Sequence, residues 1–572
     1  MTIIDNIVVV ACFAGILWVG YYFSKTSQDM DSFYKANRAL PWSLVVGTLM
    51  ASWYGGAGVV GTVGYSTTMG LSAFFIWSIG AHAVRFPLAL WIAPRISVKA
   101  KGTIPDLLRL NYGKLAAILG AVTIVITCLS IGEIAAVGYV GEGAWNANKV
   151  LVAAIVVVIS IAITCLGGLM GVAVTDMIFF FLMVVCVSSA FPQMFFKVGG
   201  FEGIREALSG PAPEMLTAFG GTPIPQAVIL IVLCINIYKD PTFYQRFAAA
   251  NSPKTGKRAM LLCFSIWLSF DVVTMITGTI IRTHDINLTT QPEVTYIAMI
   301  VDNLPVVAKG LFIVGILGAI ISTLDSYYLI GGEIISNDII YMLRGDRPLK
   351  DKTSIRITRI ASVIFGIIGL VTAFKFDRVY DAYLFLASIS MTLLFVPMIA
   401  ALMYDGKKTN VAGVSSMIVG AVVWILFQYV CPVTISGITI DPVLIGLPLS
   451  LVAFVIGNHF GTDLNAQRRL MEAGKGKKAM EKKEKKQPGA KKEYEKVEWL
   501  GVDGGLILLF IVLACIYGYG MLNGIDFIVG ILSPGLAICI TVGVFLKYCT
   551  EVFSFATGRK GKAKEDKKEK KD

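Results

Sequence analysis

Two adjacent hydroxyl side chains stand inside a long apolar segment that runs from about 307 to 340. Ser322 and Thr323 lie on one helical turn, and Ala319 precedes them by one turn on the same side. Hydroxyls inside helices often bond to carbonyl oxygens of their own helix, and that is one interpretation of the pair. The other is chemical, because hydroxyl and carbonyl oxygens together suit a hard cation such as sodium.

A glycine-rich stretch in another membrane-length segment can supply further oxygens for such a cation. Residues 50–66 read MASWYGGAGVVGTVGYS and contain five glycines. Glycine weakens a helix by about 1 kcal/mol relative to alanine and lets the backbone unwind. Unwound backbone is tolerated in hydrocarbon where it is buried in protein or lines a polar cavity, which favours a solute and ion site, although close helix packing through small residues is the alternative. An unwound segment near 51–54, opposite Ser322 and Thr323, would complete a sodium cage.

Charged side chains inside the apolar segments need a reason, because each costs at least about 2.5 kcal/mol on insertion scales. Arg85 and Glu133 either form a structural ion pair within the bundle or contact a substrate. Asp176 and Asp271 are candidate ligands for sodium or protons, since carboxylates are hard ligands. The three histidines and ten cysteines form no metal-ligand pattern and no nucleophile–base set, so the sequence does not predict an enzyme.

The composition places these residues in a membrane. Of the 572 residues, 56% are hydrophobic and 15% are charged, whereas soluble proteins carry roughly 25% charged residues. The mean hydropathy is +0.72. The apolar segments predict an all-α polytopic membrane protein with about fifteen spans, which are a lead helix, ten core helices and four further helices. The predicted spans lie at about 3–24, 41–66, 71–95, 114–139, 149–167, 171–196, 223–239, 258–281, 307–340, 354–376, 378–404, 409–430, 440–458, 503–522 and 526–548.

Basic residues in the loops predict the orientation of the helices. When the spans alternate, every basic loop cluster falls on one side, so the positive-inside rule puts the N-terminus outside and the C-terminus in the cytoplasm. We therefore expect a multi-pass protein of the cytoplasmic (inner) cell membrane. Most of the net charge of +12 lies in two lysine-rich segments, Arg468–Lys496 and Arg559–Lys571. These segments predict contact with anionic lipid rather than with nucleic acid.

Several motifs resemble those of the sodium:solute symporter family, and they occur in the family's order over roughly residues 1–460. The segment Phe33 to Trp42 (FYKANRALPW) is similar to the family's F-x-A-G-R-x-L-P-W. Gly167 to Asp176 is similar to its GGxxAVxxTD motif, Asp240 to Ala249 to its D-x4-Q-R-x-x-A-A motif, and Ala319 to Asp325 to its AxxSTxD motif. One such motif is weak evidence, whereas the whole set in order is strong evidence.

The resemblance implies a LeuT-type fold, with five core helices and five more as inverted repeats, one lead helix and about four extra C-terminal helices. The sodium ligands that it implies are the carbonyls of Ala51, Tyr54 and Ala319 and the hydroxyls of Ser322 and Thr323. In some family members, residues at the positions of Asp176 and Ser326 assist a second sodium ion or line its exit path. The candidate solute-binding residues, between core helices one, two, six, seven and ten, are Trp53, Gly55, Gly56, Gly58, Arg85, Asn236 and Asp271.

These expectations divide the chain into segments. The first repeat covers 41–196, and the second covers 223–404. The other predicted segments are the lead helix with its cytoplasmic loop (1–40), two extra helices (405–460), a basic cytoplasmic linker (461–500), two further helices (501–550) and a basic cytoplasmic tail (551–572).

The class of solute follows from departures from the family pattern. Gly58, Leu233 and Asn236 stand where galactose carriers have a sugar-binding glutamine, an asparagine and a tyrosine, which counts against a sugar. Trp53 stands where proline carriers have an aspartate, which weakens the prediction of proline. A buried Arg85 favours a carboxylate, so we predict sodium-coupled symport of an amino acid or a small organic acid by alternating access. Asp271 with the rings of Trp53, Tyr54 and Trp267 favours a nitrogen compound of the betaine or choline type instead. Proton coupling and a solute-sensing transceptor are further alternatives.

Overall fold

The computed structural model describes residues 1–24, 30–100, 102–220, 222–285, 288, 291–376, 378–435, 437–464 and 496–556. Most of the predicted basic linker and most of the predicted basic tail lie outside the described residues. The expected contact between these segments and anionic lipid therefore concerns a part of the chain that the structure does not describe.

Apolar helices make up most of the described chain. Eleven are long and apolar enough to cross a membrane, two further spans are bent helix pairs, and two are shorter apolar helices. They occupy the positions of the fifteen predicted spans, which confirms the all-α polytopic membrane architecture. In chain order they are α1 (Ile3–Tyr22), α2 (Trp42–Trp53 and Ala57–Met69), α3 (Ala73–Lys99), α4 (Lys114–Trp145), α5 (Lys149–Cys165), α6 (Gly167–Lys197), α7 (Ile224–Lys239 and Pro241–Ala249), α8 (Pro253–His284), α9 (Ala308–Leu343), α10 (Asp351–Ala373), α11 (Val379–Met403), α12 (Asn410–Val430), α13 (Val443–Gly457), α14 (Val502–Asn523) and α15 (Phe527–Val552).

Short helices and a hairpin connect these spans. The hairpin pairs Thr434–Ile435 with Ile438–Thr439 in antiparallel register. The short connecting helices include Met30–Lys35, Ile104–Tyr112, Gly200–Leu208 and Pro292–Asn303. The connecting helices also bury apolar side chains in the core, among them Phe33, Leu108 and Ile204.

The two bent helices hold equivalent places, as the first helix of each predicted repeat. The halves of α2 meet at 62°, and the backbone leaves the helical conformation at Tyr54, directly before two glycines. The halves of α7 meet at 42° at the Asp240–Pro241 step, where proline has no N–H for a helix hydrogen bond. Asp240 caps the second half by accepting the N–H of Thr242 at 2.8 Å. The glycine pattern predicts the bend in α2, whereas no pattern described above predicts the bend in α7.

Burial identifies the centre of the bundle. The most apolar part of α8 is buried along its whole length and that of α9 almost so, whereas α1, α14 and α15 expose most of theirs. A helix that is apolar and buried all round belongs to a protein interior. The candidate residues on α8 and α9 therefore lie at the centre, and the lead and C-terminal helices lie at the periphery.

The two C-terminal helices dock on the core through buried charges and aromatic rings. Lys257 of α8 places its Nζ 2.5 Å from Oδ2 of Asp503 at the start of α14, and both side chains are buried. Nε of Arg258 lies 3.1 Å from the other oxygen of Asp503. On α15, the ring of Phe545 stacks on Phe181 of α6 at a centroid distance of 4.3 Å. Both helices are thus part of the bundle rather than a separate domain.

Candidate functional site

The hydroxyl pair of α9 faces the end of the first half of α2. Oγ of Ser322 lies 3.1 Å from the carbonyl oxygen of Ala51 and 2.7 Å from that of Ala319. Oγ1 of Thr323 lies 3.2 Å from each of the same two oxygens. All four residues are buried. Two carbonyl and two hydroxyl oxygens, from segments far apart in the chain, therefore meet at one point, which is a ligand set that suits a hard cation.

The unwound backbone of α2 reaches the same point. Tyr54 ends the first half of the helix with φ −88° and ψ 61°, and its N–H bonds to the carbonyl of Met50 at 3.0 Å. Carbonyl oxygens at helix ends lack intrahelical partners, so the carbonyl of Tyr54 is a candidate for a further ligand. A Cβ at Gly55 would lie 2.5 Å from Oγ1 of Thr323, which is too close for any side chain. Glycine is therefore required where α2 passes the hydroxyl pair.

Glu133 of α4 caps the second half of α2. One carboxylate oxygen accepts the N–H of Gly56, and the other lies 3.4 Å from the backbone nitrogen of Ala57. The positive end of a helix dipole favours a carboxylate in this place. Within the described residues Glu133 forms no ion pair with Arg85. The ion pair, one of the two interpretations from sequence, is therefore wrong for this structure.

A cavity beside the hydroxyl pair is lined by residues of both predicted repeats. Gly55 and Gly56 lie against Glu133 at the break itself. Asn236 lines a neighbouring cavity, and its Oδ1 has no hydrogen-bond partner among the described residues. The predicted solute-binding residues that line the cavity beside the hydroxyl pair are Trp53, Gly58, Arg85 and Asp271, next to Tyr54 and Thr323 of the predicted sodium site.

Arg85 presents one free donor in this cavity. Its Nε donates to the carbonyl of Cys234 at 3.0 Å, and its Nη1 lies 3.3 Å from Nδ1 of His82. The guanidinium carbon lies 4.3 Å from the ring centroid of Trp53, a cation–π contact. The remaining nitrogen, Nη2, is buried and has no partner among the described residues. A buried donor of this kind is suited to an acceptor on a bound solute.

Asp271, in contrast, is already engaged by protein donors. One of its oxygens accepts the hydroxyl of Tyr54. The other oxygen accepts the hydroxyl of Ser78 at 2.5 Å and lies 3.0 Å from Nε2 of His82. The carboxylate thus joins α2, α3 and α8, and it positions side chains around the cavity.

The predicted second ion site holds a guanidinium group. Nη2 of Arg246 lies 3.5 Å from Oδ2 of Asp176 and donates to Oγ of Ser326. Oγ1 of Thr48 donates to the same oxygen of Asp176 at 2.5 Å. Asp325 adds a second carboxylate, 3.4 Å from Oγ of Ser326. The structure therefore brings Asp176 and Ser326 together, with the cationic group of Arg246 between them.

Sequence reasoning missed several residues of the cavity. Tyr380 and Tyr383 of α11 line it, and no motif singles them out. His82 also lines the cavity, and the sequence contains a feature that could have identified it. It is an ionisable residue inside a span, three residues before Arg85 and so on the same helix face.

Comparison with known proteins agrees with the motifs. The family model described as "Sodium:solute symporter family" matches residues 33–420. The chain is 24% identical over 429 residues to the high-affinity proline transporter PutP of Bacillus subtilis (strain 168), covering 72% of this chain and 89% of the relative. It is 21% identical over 459 residues to the sodium/pantothenate symporter of Escherichia coli (strain K12), covering 77% of this chain and 92% of the relative.

A solved structure shares the fold. It is the substrate-bound outward-open state of a Na+-coupled sialic acid symporter, with a TM-score of 0.68 at 16% identity, covering 81% of this chain and 99% of the other. This similarity confirms the predicted LeuT-type fold. The relatives named above are transporters, which confirms that the chain is not an enzyme. Because the family model spans most of its length, the chain belongs to the sodium:solute symporter family of membrane transport proteins.

Proposed function

We propose that this chain is a sodium-coupled symporter of the cell membrane that carries a small polar organic solute inward by alternating access. An amino acid or a small organic acid is the leading class of solute. Family membership and the similarity to a sodium/pantothenate symporter support the coupling to sodium. The observation that carries the proposal is the meeting of the Ser322 and Thr323 hydroxyls with the break in α2.

The proposed sodium site uses oxygens without a full charge. In the structure the two hydroxyls donate to the two nearby carbonyls, and turning the hydroxyl hydrogens away would direct oxygen lone pairs at a shared point. Neutral oxygens suit an ion that must be bound and released in every cycle. The proposed ligands are the carbonyls of Ala51, Tyr54 and Ala319 and the hydroxyls of Ser322 and Thr323.

Coupling follows from the two helices that share the site. The ligands come from α2 and α9, so sodium binds well only while these helices lie against each other, and it favours that arrangement over others. Solute then binds in the completed cavity, and afterwards the helix bundle changes the side of the membrane to which the cavity opens. One charge that moves down a potential of 100 mV supplies about 2.3 kcal/mol.

Asp176 and Ser326 are proposed as a second ion site or as an exit path for the ion. The support is their meeting around a fully buried guanidinium. An ion that binds both residues has to displace Arg246, because a second cation beside it would be repelled. The site is thus proposed to alternate between Arg246 and an ion.

For the solute, Arg85 supports a carboxylate because its buried Nη2 lacks a partner. The cavity also favours a second candidate, a cationic nitrogen compound. Trp53, Trp77, Tyr380 and Tyr383 all line it, and aromatic faces attract quaternary or protonated nitrogen. Amino acids combine both features, and betaines do so too.

Uptake into proteoliposomes tests the proposal. Amino acids, small organic acids and betaines are screened with an inward sodium gradient, with a proton gradient, and with neither. We expect saturable, sodium-dependent uptake of at least one compound and its loss in the double variant Ser322→Ala with Thr323→Ala. Uptake driven only by protons, or undiminished in the double variant, would contradict the proposed sodium site.

A matched control is present on α2. Ser66 and Thr67 are also adjacent, buried, and bonded to carbonyls of their own helix, at 2.9 Å to Val63 and 2.7 Å to Gly64. The double variant Ser66→Ala with Thr67→Ala removes the same types of atoms, two hydroxyl groups and one methyl group, at a position outside the proposed site. It should retain sodium-dependent uptake.

A further inference from the structure

Four buried side chains form one hydrogen-bond chain from the solute cavity to the break in α2. Nη1 of Arg85 lies 3.3 Å from Nδ1 of His82. Nε2 of His82 lies 3.0 Å from Oδ2 of Asp271, and the other oxygen of Asp271 accepts the hydroxyl of Tyr54. The chain begins at a group proposed to meet the solute and ends on a residue whose carbonyl is proposed to bind sodium.

We propose that His82 is the positioning residue that couples the two sites. A shift of the Arg85 side chain moves His82 and, through it, Asp271 and Tyr54. The inference rests on the proposed function, because that function assigns the ends of the chain to a solute site and a sodium site. In this role His82 acts through its two neighbours. It links α3 to α8, and Asp271 then links α8 to α2.

The hydrogen positions on His82 follow from its partners. A guanidinium group has only donors, so Nδ1 of His82 accepts the hydrogen bond from Arg85. Nε2 then carries the ring hydrogen and donates it to Asp271. The imidazole therefore accepts at one end and donates at the other. A shift of either partner bends or breaks a hydrogen bond between buried groups, which is costly.

Aromatic side chains hold His82 in this orientation. The ring of Trp267 stacks on it at 5.6 Å and 15°. The ring of Phe510 from α14 meets it edge-on at 6.1 Å and 87°. His82 is only 2% exposed, so solvent offers it no alternative partner. Through Phe510, the hydrogen-bond chain also contacts α14, which lies outside the residues that the family model matches.

A double-mutant cycle on sodium affinity tests the inference, with 22Na+ as the only ligand and purified full-length protein. Arg85→Ala is expected to weaken sodium affinity about fivefold or more in the wild-type background. In the His82→Phe background it should have no further effect, because the link is already cut. Additive effects of the two substitutions, or no effect of either, would overturn the role of His82.

Further variants separate coupling from general damage. His82→Gln keeps one acceptor and one donor, so Arg85→Ala should again weaken sodium affinity in that background. Ser78→Ala removes a different hydrogen bond to the same oxygen of Asp271, and there the effect of Arg85→Ala should persist. If His82→Phe does not fold, Tyr54→Phe cuts the next link and must give the same non-additivity. Wild-type protein that binds no sodium would contradict the proposed function, whereas normal binding with additive effects contradicts only the coupling role.

Discussion

Oγ of Ser322 lies 3.1 Å from the carbonyl oxygen of Ala51, although the two residues belong to different predicted repeats. The contact joins the first and the eighth core helices at the point where the first one breaks. A cation bound between these oxygens would hold the same two helices together. Ion binding would then depend on the arrangement of the two helices and favour it in turn, and this mutual dependence is the requirement for coupled transport.

Gly55→Ala should abolish transport. The added Cβ would lie 2.5 Å from Oγ1 of Thr323 and closer still to the carboxylate of Glu133, so the backbone must move away from the hydroxyl pair. Sodium-dependent uptake at equal expression is the measurement. Gly15→Ala is the control, because its Cβ would meet nothing within 4 Å. Normal sodium-dependent uptake by Gly55→Ala would show that transport does not require the backbone of α2 to pass this close to the hydroxyl pair.

Glu133→Ala should destabilise the broken helix. The substitution leaves the N–H groups of Gly56 and Ala57 buried without their acceptor, at a cost of about 1–3 kcal/mol for each unsatisfied group. Thermal unfolding in detergent should show a lower midpoint, and Glu133→Gln, which keeps one acceptor oxygen, should lose less. Glu142→Ala on the same helix is the control, since one of its oxygens has no partner among the described residues. Equal midpoints for Glu133→Ala and Glu142→Ala would contradict the capping role.

Arg85→Ala should weaken the binding of a carboxylate solute about ten- to a hundredfold, because a hydrogen bond to a charged group contributes about 1.5–3 kcal/mol. Competition against uptake of the solute found in the screen measures this. Amide analogues, which lack the negative charge, should compete poorly with the wild-type protein. Strong competition by neutral analogues would instead favour a nitrogen compound recognised by the aromatic residues.

Asp503→Asn should loosen the C-terminal helices. It leaves the buried ammonium of Lys257 without its counter-charge, and breaking a buried pair costs about 3–5 kcal/mol. The unfolding midpoint should fall clearly. Glu498→Gln is the control, since Glu498, which is 40% exposed, pairs with Lys254 at 3.0 Å and with Arg258 at 2.8 Å, and solvent-exposed pairs contribute little. Equal shifts for the two variants would show that the buried pair does not anchor α14.

Part of the site follows from sequence, and part of it depends on tertiary structure. The glycines of α2 and the Ser322–Thr323 pair are visible as local patterns, because an intramembrane break and paired hydroxyls both need particular residue types. The family resemblance, rather than either pattern alone, implies that these two segments meet. Spacing alone does not bring together residues so far apart in the chain.

The remaining contacts have partners that sequence does not reveal. Glu133 binds backbone N–H groups, which every residue except proline has, so no partner stands out in the sequence. Arg246 belongs to a recognised motif, but only its burial between Asp176 and Ser326 shows that it lies in the predicted ion site. His82 was visible as an intramembrane histidine, yet its place between Arg85 and Asp271 depends on how α3 packs on α8.

Direct binding of 22Na+ to purified protein tests the central claim most simply, because it needs no knowledge of the solute. We expect saturable binding by the wild-type protein and by Ser66→Ala with Thr67→Ala. The double variant Ser322→Ala with Thr323→Ala should lose it while unfolding as cooperatively as the wild type. Wild-type sodium affinity in that double variant would contradict the assignment of the site between α2 and α9.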